Sequence, residues 1–257
     1  MSQSLERGLA VLAQLAQSGR PGDGKTLDEL AAELGVHKST VSRLLRTLEA
    51  GHFVRRVNTR HYVLGSALFE LANQSLDELD VRRVAQPVLV DLNRRTGHTV
   101  HLASLEAHEA VCIDKVDGRH SVRMYSRIGR RAPVHCTAVG KVLVAGQPAE
   151  LRAAIAAELS YSRKTGTTIT DAGAFAAELS RVAERGYAVD NAEHEDFIHC
   201  VAAPVRRGDG MVVAAISLSV PGVLLDLDGL LALVPELLAA AEEASARSGW
   251  TEKKTNR

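Results

Sequence analysis

Aromatic residues are scarce. Phe, Tyr and Trp together make up 4% of the 257 residues, so a core has to be built from Leu, Val and Ala. Cysteine is scarce as well. Cys112, Cys136 and Cys200 are odd in number and lack any C-x-x-C spacing, which argues against a disulfide framework and for a reducing compartment. An excess of either charge is missing: 31 Lys and Arg face 31 Asp and Glu. Any affinity for nucleic acid must then come from a local patch, not a global field. The opening MSQSLERG has no apolar signal core, and no window approaches the ~20 apolar residues of a spanning helix. A cytoplasmic protein with no membrane contact is expected. What remains is an ordinary globular composition, 46% hydrophobic and 24% charged, long enough for one large domain or two smaller ones.

The stretch HEDFIHC, residues 194–200, packs two histidines, two acids and a cysteine into seven positions. It nearly spells the zinc-protease helix H-E-x-x-H, whose histidines stand four apart on one face. His194 and His199 are five apart, about 140° around a helix. The zinc-protease reading therefore fails on spacing, and the remainder of the chain has to say what this cluster serves.

The first third reads as a winged helix-turn-helix. Leu5, Leu9, Leu12 and Leu15 recur at near-helical spacing and predict one apolar stripe. SGRPGDGK (18–25) interrupts the pattern. Thr26-Leu27-Asp28-Glu29 is a capping box, followed by Leu27, Leu30, Ala31 and Leu34 on one face, with Gly35 as the stop. A short link leads to a third helix in which Val41, Leu44, Leu45 and Leu48 form the buried stripe. Its other positions are Lys38, Ser39, Thr40, Ser42, Arg43, Arg46 and Thr47. From 37 to 64 six bases face one acid, Glu49, a local charge of +5 in a neutral chain. Bases and hydroxyls together suit phosphates and base edges. The start of a recognition helix is placed to read bases, so Lys38, Ser39, Thr40, Ser42 and Arg43 are the expected reading set, with Arg46 on the DNA backbone. Phe53–Val57 and His61–Leu64 read as the strands of a wing around Asn58-Thr59-Arg60. Arg55, Arg56 and Arg60 would lie near phosphates or the minor groove.

Residues 65–80 read as an amphipathic helix with Leu68, Leu71 and Ala72 on one side, and Val81–Arg95 as another, stopped at Gly97. The period then changes. HTVHLASLE (98–106) and EAVCIDKVD (109–117) read as neighbouring strands. Helices follow near 136–145, 148–158 and 172–185. YAVDN, IHCVAAPV and MVVAAISLSV are β-rich, and a last helix spans roughly 224–247. Antiparallel strands with helices segregated around them make an α+β domain. In a strand, His199 and Cys200 point to opposite faces, whereas Ser217 and Ser219 share one. Two hydroxyls on one face of so apolar a strand need partners, and a small polar ligand is one candidate. At CTAVGK, a helix start presents the N–H groups of Thr137, Ala138 and Val139, a ready carboxylate site. Lys141 in that helix reads as facing solvent.

QSLERGLAVLAQLA, TLDELAAELGVHKSTVSRLLRTLEAGHFVRR and RHYVLGSALFELA resemble the DNA-binding domain of IclR-family transcription regulators. APVHCTAVGKVLVA, TTITD, RGYAVDNAEHED and HCVAAPVRR with AAISLSV resemble that family's effector-binding domain in the same order, so the likeness runs from about residue 3 to 247. It implies a winged helix-turn-helix over 1–64, a linker helix over 65–80 and a GAF-like effector-binding domain with an antiparallel sheet over 81–250. It also implies a ligand pocket lined by Asp190, Cys200, Ser217 and Ser219, with the ligand's carboxylate at Ala138 and Val139. The effector would be a small anionic metabolite such as a keto acid or sugar acid. The phrase IDKVDG and the loop after it resemble the branch of the family that senses 2-keto-3-deoxygluconate. In that loop Arg123, Arg127, Arg130 and Arg131 read as solvated. A dimer or tetramer on a palindromic double-stranded operator is implied, with no cofactor and no catalysis, the protein acting as a repressor by expectation. Where many members carry Gly-hydrophobic-Arg before the cysteine, this chain has Phe197-Ile198-His199. Phe197 would narrow the pocket mouth and His199 would add a titrating donor. Two other readings compete: a metal sensor using His135, His194 or His199 with Cys200, and an enzyme with Cys200 as nucleophile.

Overall fold

The computed structural model describes residues 3–17, 24–71, 80–119 and 126–250. The chain divides into two compact units, Met1–Glu78 and Leu79–Arg257. The sequence-read linker helix straddles that division. Residues 67–71 are helical, and residues 72–79 lie outside the described residues, as do Arg123 and most of the 18–25 interruption.

In the first unit the order is α1 (Gln3–Ala16), β1 (Lys25–Thr26), α2 (Leu27–Leu34), α3 (Lys38–Ala50), β2 (Val54–Arg56) and β3 (His61–Leu64). The capping box forms as spelled: the Thr26 hydroxyl accepts from the Glu29 N–H at 3.2 Å, and the Glu29 carboxylate accepts from the Thr26 N–H at 2.7 Å. Gly35 ends α2 in the left-handed region, φ 61°, where a side chain would be strained. α3 buries Val41 and Leu45 completely, against Val11, Leu30 and Tyr62. The three strands form an antiparallel sheet in the order β1-β3-β2. β1 is only two residues long, too short for any periodicity to reveal. The expected stripe on α1 is displaced. Val11 and Leu15 are buried, but Leu5 and Leu9 are 64% and 58% exposed. This small unit covers one narrow face of the helix, and α1 has more apolar residues than that face can take.

In the second unit the order is α4 (Asp80–Thr96), β4 (Thr99–Glu106), β5 (Glu109–Val116), β6 (Arg131–Pro133), α5 (Ala138–Ala145), α6 (Ala149–Glu158), α7 (Ala172–Arg185), β7 (Ala188–Asn191), β8 (Ile198–Arg206), β9 (Val212–Pro221), α8 (Leu227–Leu231) and α9 (Val234–Arg247). The six strands make one antiparallel sheet, β6-β5-β4-β9-β8-β7. One face packs Leu102, Ile216 and Leu218 against α4 and α9. The other packs Ala103, Ala202 and Ala215 against α5 and α7. The fold class is α+β. The single final helix read from sequence is broken in two. Pro235 has no N–H to continue a helix and its ring would collide with the carbonyl four residues back, so α9 starts afresh with that proline in its first turn.

Leu45→Ala should therefore destabilise the first unit by about 2–5 kcal/mol, the usual cost of emptying a packed leucine site. Urea denaturation followed by circular dichroism measures it; a loss below about 1 kcal/mol would contradict the packing of α3.

Candidate functional site

Six of the nine basic residues of the first unit lie on α3 or the wing. Lys38, Ser39, Arg43 and Arg46 are exposed, Thr40 and Ser42 half-buried, and Arg55, Arg56 and Arg60 exposed. Because Val41 and Leu45 face the core, the polar positions of α3 are left to solvent. Lys38 Nζ lies 2.9 Å from Asp28, and Arg56 Nε 3.4 Å from Glu49. Both pairs are exposed, and exposed pairs hold weakly, so either cation can exchange its carboxylate for a phosphate. Arg56 also stacks over Tyr62, 5.0 Å from the ring centre. The wing tip is closed by Asn58, whose side-chain oxygen accepts from the N–H groups of Arg60 and His61, both at 2.9 Å.

The second unit holds a cavity of about 760 Å³, counting its open mouth. Strand register explains its polar wall. Asp190 of β7, Cys200 of β8 and Ser219 of β9 are direct neighbours across three strands, so their side chains leave the sheet on one face. Ser217, two residues before Ser219, is level with His101 of β4. Asp190, Cys200, Ser217, Ser219, Ala138 and Val139 all line this cavity. Thr137, read with them at the helix start, and Glu195 of the HEDFIHC stretch line it too, and so do two polar residues that periodicity did not reveal, His101 and Ser126. The signal for His101 was its strand parity with Thr99 and Ala103, but only the pairing with β9 puts it beside the serines. Arg127 and Arg130, read as solvated, stand on the cavity wall at its exposed rim, while Arg131 pairs with Glu106 at 2.7 Å.

The start of α5 forms the opposite wall. Thr137 caps it: its hydroxyl accepts from the Gly140 N–H at 3.3 Å and donates to the Pro133 carbonyl at 2.7 Å. Ala138 and Val139 are the first two residues of the helix, where N–H groups have no intrahelical acceptor. A Cβ on Gly140 would stand 2.3 Å from the Val134 Cα, so glycine alone lets this turn sit so close to the strand end. Lys141 does not face solvent. It is 1% exposed, and its ammonium donates to Glu193 at 2.5 Å and to the Val189 carbonyl at 2.8 Å. The turn Asn191-Ala192-Glu193 that supplies this partner holds Ala192 at φ 54°. Three threonines of the TGTTITD segment fix it. Thr168 donates to the Glu193 carbonyl at 2.7 Å, Thr165 to the same carbonyl at 3.2 Å, and Thr167 to the Ala192 carbonyl at 2.7 Å.

The electrostatics are those of a binding cavity. Burial pushes Asp190 up from 3.8 to about 7, against the bond it accepts from the Glu193 N–H. Burial, with the nearby Asp190 carboxyl, holds the Cys200 thiol well above its ordinary value. A thiol kept protonated is a poor nucleophile, so Cys200 is not activated. His101 is driven down to about 4 by burial and then by Lys115, so its imidazole is neutral at pH 7.

The departures from the family pattern act elsewhere. Phe197 is 75% exposed, and neither it nor His199 lines the cavity. Strand alternation turns His199 to the other face, where its Nδ1 is buried without a hydrogen bond; Ile198 and Cys200 take the cavity side. Phe197 therefore does not narrow the mouth, and His199 supplies no donor to the pocket. His135 bonds the Ser162 carbonyl at 3.2 Å, and His194 Nδ1 lies 3.7 Å from Cys136. Among the described residues, no three His, Cys, Asp or Glu side chains are grouped to hold a metal ion. No described helix is long and apolar enough to cross a membrane.

A winged helix-turn-helix with a basic reading helix, carried on one chain with an α+β unit around a polar cavity, defines a DNA-binding regulator that responds to a small ligand. Residues 4–58 match the IclR helix-turn-helix domain and residues 73–246 the bacterial transcriptional regulator IclR C-terminal domain. The chain belongs to the IclR family of transcriptional regulators, which are not enzymes. It is 37% identical over 225 residues to the HTH-type transcriptional regulator KdgR of Escherichia coli K12, covering 87% of this chain and 86% of that one. It is 33% identical over 221 residues to the transcriptional repressor AllR of Salmonella typhimurium, covering 86% and 80%. The Thermotoga maritima IclR crystal structure superposes with a TM-score of 0.81 at 32% identity, over 96% of this chain and 99% of that one.

Two outcomes follow from the buried charges. Lys141→Met strands the Glu193 carboxylate and should cost about 3–5 kcal/mol, and Lys141→Met with Glu193→Met should recover most of it, since a well-packed apolar pair can replace a buried ion pair. Urea midpoints of the two variants decide the point. Asp190 keeps its proton longer in the folded state than in the unfolded one. Its contribution is full below 3.8 and lost as pH rises through about 7. Relative to Asp190→Asn, the wild type should lose on the order of a few kcal/mol across that window, read as the pH dependence of the difference in unfolding free energy.

Proposed function

We propose that this regulator is a repressor whose hold on its operator is set by a small carboxylic acid. Lys38, Ser39, Thr40, Ser42 and Arg43 read base edges in the major groove. Arg46, Arg55, Arg56 and Arg60 fix the register on the phosphates. In the second unit the N–H groups of Ala138 and Val139 take the effector's carboxylate, and Asp190, Cys200, Ser217 and Ser219 contact its other end. The observation that carries this reading is the polar cavity of the second unit. Six residues from four separate segments converge on it, with an uncapped pair of N–H groups facing two serine hydroxyls. The resemblance of IDKVDG and the loop after it to the sugar-acid-sensing branch favours a sugar or keto acid, and the likeness to the AllR repressor favours repression.

A homodimer or homotetramer fits the exposed apolar side chains of the first unit. Leu5, Leu9, Phe69 and Leu71 are 64%, 58%, 71% and 51% exposed, and a two-fold assembly would cover them while matching a palindromic operator. The cytoplasm is the compartment this role requires. Effector and operator are linked: the acid changes DNA affinity only by its different affinity for the two states, and DNA changes the acid's affinity by the same factor.

The test combines two readouts on the purified protein. Thermal melting against a panel of organic and sugar acids finds the ligands, since whatever binds the folded state raises stability. A mobility shift with the protein's own upstream DNA, with and without each hit, then reads the coupling. Arg43→Ala should weaken operator binding about 5- to 150-fold and leave the melting shifts intact. Ser219→Ala should do the reverse. Failure of every acid to move the melting temperature, or of Arg43→Ala to weaken operator binding, would overturn the corresponding half of the reading.

A further inference from the structure

The neutral imidazole at one end of the cavity has a consequence for which acids fit. His101 lies on β4, fully enclosed between the sheet and the loop that carries Ser126. Its Nε2 is 2.7 Å from the Ser126 hydroxyl, and its Nδ1 is 3.3 Å from the Ser219 hydroxyl. All three side chains line the cavity, and Ser217 stands opposite His101 in the strand register. A neutral imidazole has one N–H and one bare nitrogen. The serine on the N–H side accepts, so its own proton is left for the cavity. The serine on the bare side donates, so its lone pairs are left for the cavity. Either tautomer therefore leaves one serine with a proton to give and the other with lone pairs to give, Ser219 sharing its own with the neighbouring Cys200 thiol.

That pair matches an alcohol, which donates and accepts at once. An alkyl chain matches it less well: each hydroxyl would keep its bond to His101, but its second hydrogen-bonding site would face hydrocarbon, which is costly in an enclosed place. The cavity's other walls reinforce the preference. Its described lining contains no Phe, Tyr or Trp, so it offers no benzenoid or indole face for an aromatic ring. Ala103, Ala110 and Ala132 keep the chamber wide without filling it.

We propose that His101, acting through Ser126 and Ser219, is the specificity-determining residue that makes this cavity select hydroxylated aliphatic acids over their unhydroxylated counterparts. The proposal rests on the effector-site reading above and adds what distinguishes one acid from another. His101 touches no carboxylate in this scheme; it sets the hydrogen-bonding sense of the two hydroxyls that meet the ligand's far end.

The test is calorimetric titration of the full-length protein with gluconate and with hexanoate, two six-carbon acids that share the carboxylate and differ in the chain. Wild type should bind gluconate at least about tenfold more tightly. His101→Leu should weaken gluconate about tenfold or more and leave hexanoate within about twofold, so that the preference disappears. His101→Gln, which keeps one donor and one acceptor, should restore part of it. Ser126→Ala, at the less enclosed end of the chain of bonds, should cut gluconate binding about three- to tenfold without touching hexanoate, and it keeps the proposal testable should His101→Leu misfold. If wild type binds both acids alike, or the preference survives in His101→Leu and Ser126→Ala, the role of His101 is overturned while the effector site stands. If wild type binds neither acid, both the site and its selectivity fall.

Discussion

One sheet with two unlike faces is the constraint on which the second unit depends. β8 and β9 are central strands covered on both sides, so every residue along them has to belong to one buried environment or the other. Val201, Leu218 and Val220 go to the packing with α4 and α9. Cys200, Ser217 and Ser219 go to the cavity. A slip of one residue in the pairing of β8 with β9 would exchange the two sets, sending hydroxyls into an aliphatic core and valines into the chamber. The cavity is thus specified by the same register that specifies the core, and its polar wall cannot drift without dismantling the packing behind it. Gly140 adds the other boundary condition, since the close approach of α5 to Val134 is what keeps the helix start at the chamber.

Polar groups in this interior are kept in order by neutrality. The Lys141–Glu193 pair cancels its own charge under the floor of the cavity, and the three threonines over Asn191-Ala192-Glu193 hold the strained turn that makes the pair possible. Asp190, on the strand leading into that turn, and His101, three strands away, are both pushed by burial toward their uncharged forms. The chamber therefore offers fixed dipoles and hydroxyls more than ions, with Arg127 and Arg130 at its rim. Such a site would discriminate by the sense of its hydrogen bonds, because a mismatched donor or acceptor at a low-dielectric wall is costly.

Much of this was legible in the sequence, and the reasons differ by element. The capping box at Thr26, the stop at Gly35 and the stripe of Val41 and Leu45 are local signals, and the structure realises them residue by residue. The parity of 217 and 219 placed two serines on one face without any knowledge of what they faced. What failed was non-local. Lys141 looks like a surface lysine until β7 and its turn bring Glu193 to it. Leu5 and Leu9 look like core until the small unit turns out to cover only the Val11 and Leu15 side of α1. Phe197 and His199 were read into the pocket from their place beside Cys200, yet alternation gives the cavity to Ile198 and Cys200. His101 and Ser126 escape a local reading because their partnership spans 25 residues, and His101 reaches Ser219 only because β4 lies beside β9.

The charge pattern carries a last implication for DNA. Six of the nine bases in residues 1–78 fall between 37 and 64, but nine acids in the same stretch balance the total. A balanced unit has little net field beyond a Debye length of about 8 Å at physiological salt, so it is drawn only weakly to DNA at a distance. In the proposed reading its affinity is made at contact, where Arg43, Arg46 and the wing arginines would meet phosphates while Asp28 and Glu49 give up the cations they hold. A protein of this kind gains less from non-specific binding than a uniformly basic one. On the proposed reading it leans more on correct placement of α3 at the operator than on charge alone.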